Sequence, residues 1–154
     1  MKKTVRVPCL IHEGSLGRKT IKQLESMIKG IYQTHFGVDY KLVFMWMTLP
    51  KGQAYLAGKI STASTVMVAV EDGLPANKRH PFMLEICDKW QYITGCNKNE
   101  IILNSPDFSV ADESLNITQS KFDESKKTWA QAKIMSRLLL GRISKGYFTT
   151  DINL

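Results

Sequence analysis

The most chemically suggestive residues in this 154-residue sequence are two adjacent carboxylates, Glu71 and Asp72, standing ahead of Gly73. Neighbouring carboxylates push their pKa values apart, so such a pair can divide general-acid and general-base work; beside a glycine it can equally do no more than make a turn. Cations stand at Lys59, directly after Gly58, and in the run Lys78-Arg79-His80. They could hold an anionic ligand at a pocket, or supply the solvated, positive approach to a helix. Cys9, Cys87 and Cys96 cannot all pair within one chain and none lies at CxxC spacing, which predicts reduced structural thiols. His12, His35 and His80 are scattered, with no HExxH and no zinc-finger spacing, so no metal site is expected. Glycine-rich nucleotide loops and the GxSxG elbow are also absent from the sequence, and no cofactor is expected.

These residues need a scaffold, and the composition supplies one. With 44% hydrophobic and 23% charged residues, the chain can bury a core as one domain over residues 1–154. Its apolar runs are too short to span a bilayer. The start, Met1 to Val7, is positively charged but lacks a sustained apolar stretch or a cleavage site, so the cytoplasm is the expected location. Net charge is +7 and uneven: residues 1–114 hold 14 Lys and Arg against 11 Asp and Glu, whereas residues 115–154 hold 7 against 3. The basic tail could meet nucleic acid or an anionic membrane surface; the solvated face of a closing helix explains the same charge more simply.

Hydrophobic periodicity predicts a repeated β-α-β order. Residues 4–11 are apolar and β-branched, and end at His12-Glu13-Gly14. From Arg18 to Phe36, apolar residues at Ile21, Leu24, Met27, Ile28, Ile31, Tyr32 and Phe36 recur in steps of three and four, the stripe of an amphipathic helix stopped by Gly37. Residues 41–48 form a second strand. The order then recurs: a strand over 64–70 ending at Glu71-Asp72-Gly73, a helix with Pro81 in an early position and an apolar face from Phe82 to Ile93, a stop at Gly95, and a strand over 100–104. Two right-handed units, about 4–60 and 64–114, predict an α+β domain. It has a four-stranded sheet with both helices on one face. The opposite face would carry Val43, Met45 and Met47 or their neighbours, too apolar for permanent exposure, and a subunit interface is the expected cover. Residues 110–116 read as loop leading into a C-terminal extension, about 115–154. Residues 125–142 read as a basic amphipathic helix that packs on the body or a neighbouring subunit.

The segments Glu13-Gly-Ser-Leu16, Ile31-Tyr-Gln-Thr-His-Phe-Gly37 and Leu49-Pro-Lys-Gly-Gln-Ala-Tyr-Leu-Ala-Gly58, in this order within a duplicated β-α-β chain, carry a family resemblance. The sequence over residues 5–114 resembles the tautomerase superfamily, particularly its cis-3-chloroacrylic acid dehalogenase-like group. The resemblance implies a homotrimer and a small carboxylic-acid ligand. It also implies chemistry at an amino-terminal proline, whose secondary amine acts as general base or acid near neutral pH. Ungapped alignment through Glu13 to Leu16 puts Val5 at that place, and a valine amide cannot do this work. Pro8 is acylated and inside the strand. Met1, expected to be retained ahead of the bulky Lys2, offers a primary amine with a pKa of roughly 7.7 to 8.0, four residues upstream.

The other positions implied by the resemblance also depart from the family. Two carboxylate-holding arginines correspond to Glu71 and Leu74, a helix-one histidine to Tyr32, a tyrosine near the end of the fourth strand to Asn104, and an acid that helps activate water to Glu113. The expected protein is therefore a tautomerase-fold trimer without proline-dependent catalysis, noncatalytic or repurposed. The alternative is an isomerase, or a lyase or hydrolase of the dehalogenase-like type. It would act on small keto or unsaturated acids, use Glu71 or the Met1 amine as base, and have a pocket near Val5, Tyr32, Lys59 and Asn104. Lys59, Lys78 and Arg79 are the candidate ligand-binding cations.

Overall fold

The computed structural model describes residues 2–120 and 124–151, with side chains described in 2–114 and 128–151. Strand β1 (Lys3–His12) alternates as its sequence demands: Val5, Val7, Cys9 and Ile11 are buried while Thr4 and Arg6 are exposed. Helix α1 (Arg18–Phe36) buries Ile21, Leu24, Ile28, Ile31 and Tyr32 from the anticipated stripe. It returns the chain to β2 (Tyr40–Leu49), parallel to β1 in continuous register from Lys3 opposite Tyr40 to His12 opposite Leu49. A small hairpin follows, β3 (Tyr55–Leu56) and β4 (Lys59–Ile60), closed by Ala57 and Gly58 with φ of 50° and 78°, both left-handed as a tight hairpin turn requires.

The second unit repeats the first. β5 (Ser64–Met67), α2 (Ala76–Thr94) and β6 (Ile101–Asn104) form a parallel pair bridged by a helix, and β5 joins antiparallel to β1 through Cys9 opposite Val66. Both helices are 19 residues long, and both end at a glycine of positive φ, Gly37 and Gly95. α2 starts five residues before Pro81, with Pro75 at its N-cap, so Pro81 lies inside the helix rather than at its start. Between the helices and the sheet lies the core, where Trp46 stacks on Trp90 at 6.3 Å and donates its indole N–H to Glu25 at 3.0 Å.

Two expectations for the C-terminal third are corrected. The loop expected over 110–116 is part of helix α3 (Phe108–Ser120). Its first N–H groups find distant partners, Phe108 N donating to the Val70 carbonyl at 2.9 Å and Ser109 N to the Asp72 carboxylate at 3.0 Å, which satisfies donors that a helix end otherwise leaves orphaned. Helix α4 (Glu124–Lys145) is close to the anticipated span, but it leads through Gly146 into β7 (Thr149–Asp151), parallel to β2. The sheet therefore has five strands in the order β6-β5-β1-β2-β7, not four. α3 and α4 also lie over part of the sheet face opposite α1 and α2, so the chain itself covers some of the surface expected to be bare. Among the described residues, no helix is long and apolar enough to cross a membrane.

Candidate functional site

The N-terminal end of β1, the start of β2 and the loop after β5 meet around Tyr32, Tyr40 and Glu71. α1 delivers Tyr32 on its core stripe. There it is fully buried, with its ring edge-on to Phe36, Tyr40 and Phe82 at 4.9, 5.3 and 5.7 Å and its hydroxyl donating to the Ala69 carbonyl at 3.1 Å. Tyr40, the first residue of β2, donates its hydroxyl to the Glu71 carboxylate. That hydrogen bond, reinforced by burial, pushes the Tyr40 phenol up to about 12, and burial together with the neighbouring Tyr40 and Glu71 raises Tyr32 further. Both phenols stay protonated at neutral pH. Each donates its hydroxyl proton to a fixed acceptor, Tyr32 to the Ala69 carbonyl and Tyr40 to Glu71.

Val5 is 2% exposed and is the third residue of a ten-residue strand. Lys3 and Thr4 ahead of it pair with Tyr40 and Lys41, and Lys3 N donates to the Asp39 carbonyl at 2.9 Å. The segment preceding Val5 thus extends the strand along β2. The Lys3 ammonium lies 3.7 Å from the centroid of the Phe108 ring, a cation–π contact tying β1 to α3.

The remaining candidates are distributed unevenly. Glu71, Leu74 and Lys78 border one open cavity of about 520 Å³, with His35 and Phe36 on its α1 side. Arg79 beside them donates to the Ser105 carbonyl at 3.0 Å, to the Leu74 carbonyl at 3.1 Å and to Asp107. It fastens the β5–α2 connection to the end of β6. The Gly73 N–H, then Arg79, hold the Asp107 carboxyl below the usual range. Lys59 does not join Val5 and Tyr32. The hairpin carries it past the opposite end of β1, where its neighbour Ile60 borders a cavity with His12 and Glu13, about 23 Å along the strand from Val5. Asn104 ends β6, two strands from β1, with its carbonyl accepting from Val68 N at 2.9 Å, and Glu113 is exposed on α3.

Sequence reasoning missed Tyr40 and Phe108. The signal for Tyr40 was weak: a tyrosine at the opening of a strand, where its ring can return to the helix layer. Among the described residues no three His, Cys, Asp or Glu side chains come together as a metal would need.

No family model matches the chain, and no curated protein matches it. Solved structures do. The crystal structure of native Ps01740 aligns with a TM-score of 0.63 at 22% identity, over 67% of this chain and 93% of its own. N1, a member of the cis-3-chloroacrylic acid dehalogenase family, aligns at 0.56 and 10% identity over 82% of this chain and 99% of its own. The fold is tautomerase-like. A fused 4-OT described as a wild-type symmetric trimer aligns at 0.57 with 11% identity over 67% of this chain and 85% of its own. The tautomerase-like body is thus shared with these proteins at identities that leave side-chain chemistry free to differ.

Proposed function

We propose that this chain is a cytoplasmic, homotrimeric tautomerase-fold protein of the dehalogenase-like group that lacks the proline base and its proton-transfer chemistry. In this view it is one domain, built from the repeats at about 4–60 and 64–114 with an extension over 115–154, and serves as a noncatalytic or repurposed trimer. The observation that carries the proposal is Val5: an amide within a strand, preceded by Lys3 and Thr4 paired along β2. A peptide nitrogen has no usable basicity near neutral pH, whereas a terminal ring amine does. Self-association draws support from the trimeric fused 4-OT neighbour, and free Cys9, Cys87 and Cys96 fit a reducing compartment.

The test is enol–keto conversion of an arylpyruvate by the wild-type chain and by a variant that begins with proline in place of Val5. Wild type is expected to show no turnover above buffer. Wild-type turnover that survives blocking of the α-amine would overturn the proposal and favour a second reading, an enzyme using a side-chain base. One observation supports that second reading: the Glu71 carboxylate is oriented by Tyr40 and shares a cavity with Lys78. Under it, Glu71→Gln abolishes the turnover.

A further inference from the structure

Between the outer sheet face and helices α3 and α4 lies a cavity of about 390 Å³, within the range of small-molecule sites and mostly apolar. Met45 and Met47 of β2 and Met67 of β5 supply its floor, and Ile134 and Leu138 of α4 its roof. Methionine is unbranched and polarizable, and it adapts to flexible hydrocarbon better than branched side chains do. Two cations interrupt this wall, Lys3 and Arg6 of β1. Lys3 rests on Phe108, but the Arg6 side chain makes no hydrogen bond or ion pair among the described residues. Asp112 of α3 also borders the cavity and pairs with neither.

We infer that this cavity binds a single-chain amphiphile with an anionic head, its hydrocarbon body against the methionines and its head on Arg6 with help from Lys3. A guanidinium beside apolar side chains offers a carboxylate two parallel N–H donors, and a hydrogen bond between charged partners is worth more where water is partly excluded. An alkyl tail in turn removes methionine surface from water, with a return proportional to area. The inference goes beyond the proposed loss of proton transfer, and the two fail separately: one is read by turnover, the other by binding.

The experiment is calorimetric titration of the full chain with octanoate, 1-octanol and acetate, below the concentrations at which octanoate forms micelles. Octanoate is expected to bind saturably, 1-octanol about tenfold or more weaker because it lacks the charged head, and acetate not measurably. Arg6→Met should bring octanoate down to the level of 1-octanol while leaving 1-octanol unchanged. Ala111→Phe, which fills the cavity from α3, should remove both, with thermal melting confirming that each variant is folded. Equal binding of octanoate and 1-octanol by wild type, undiminished octanoate binding by Arg6→Met, or no saturable binding overturns the inference. So does an octanoate affinity that falls as protein concentration rises, since a neighbouring copy would then be the occupant.

Discussion

The two faces of the sheet differ in how completely the chain finishes them. Towards α1 and α2, Val7, Cys9, Trp46 and Val66 are fully buried, and aromatic rings lock the helices together from Tyr32 to Phe82. Towards α3 and α4 the cover is loose. Described α4 side chains bury at Leu138, with Gly141 against β7, while Trp129 stays 66% and Ile143 83% exposed. The first face is a core that one chain can complete. The second is a surface with the composition of a core and incomplete packing, which is where a ligand or another copy adds most.

This contrast can be broken most forcefully at the packed face. Trp90→Ala removes the partner of Trp46 from a site 1% exposed, and a loss of about 3–5 kcal/mol in chemical denaturation is expected, whereas Met45→Ala on the other face should lose far less. Equal losses would mean that the two faces are packed alike. Next comes Gly141→Val. A side chain there would run into the Thr149 backbone and methyl, so α4 and β7 should separate from β2 at a cost of about 1–3 kcal/mol, read as rapid proteolysis after α3 with the N-terminal body intact. Tyr40→Phe should be milder, about 1 kcal/mol, because Glu71 is exposed and regains water when it loses the hydroxyl.

A pH effect is smaller still and has a definite sign. The Asp107 carboxyl is depressed in the folded chain by the Gly73 N–H and Arg79, so its contribution is present above the unfolded value near pH 4 and lost as pH falls through the folded one. Asp107→Asn should therefore flatten the acid limb of the stability profile below about pH 4 and leave the neutral limb parallel to wild type. Smallest is Glu85→Gln at the α1–α2 surface. It breaks exposed contacts to His35 and Lys89, both 2.9 Å, and is expected to cost less than about 1 kcal/mol.

What could be read from the sequence follows from where each signal resides. α1 was legible to its ends because its stripe and its terminating Gly37 are local, and the second helix repeats the same stop at Gly95. α3 was not, because its first N–H groups are satisfied by Val70 and Asp72, far earlier in the chain. β7 was not, because three residues become a strand only when β2 offers an edge. At the candidate site, the valine at position 5 was plain, and so was Glu71. The occupation of Arg79 by Asp107 and two carbonyls, the strut between Tyr40 and Glu71, and the displacement of Lys59 to the far end of β1 all depend on tertiary placement.

The short strand after Gly146 has a consequence for colloidal behaviour. By lying against Trp46, Met47 and Thr48, it occupies backbone groups that would otherwise invite a stray strand to continue the sheet. A chain cut back before Thr149 would present β2 as an open, apolar template, and would be expected to clump on heating before it had lost its helices.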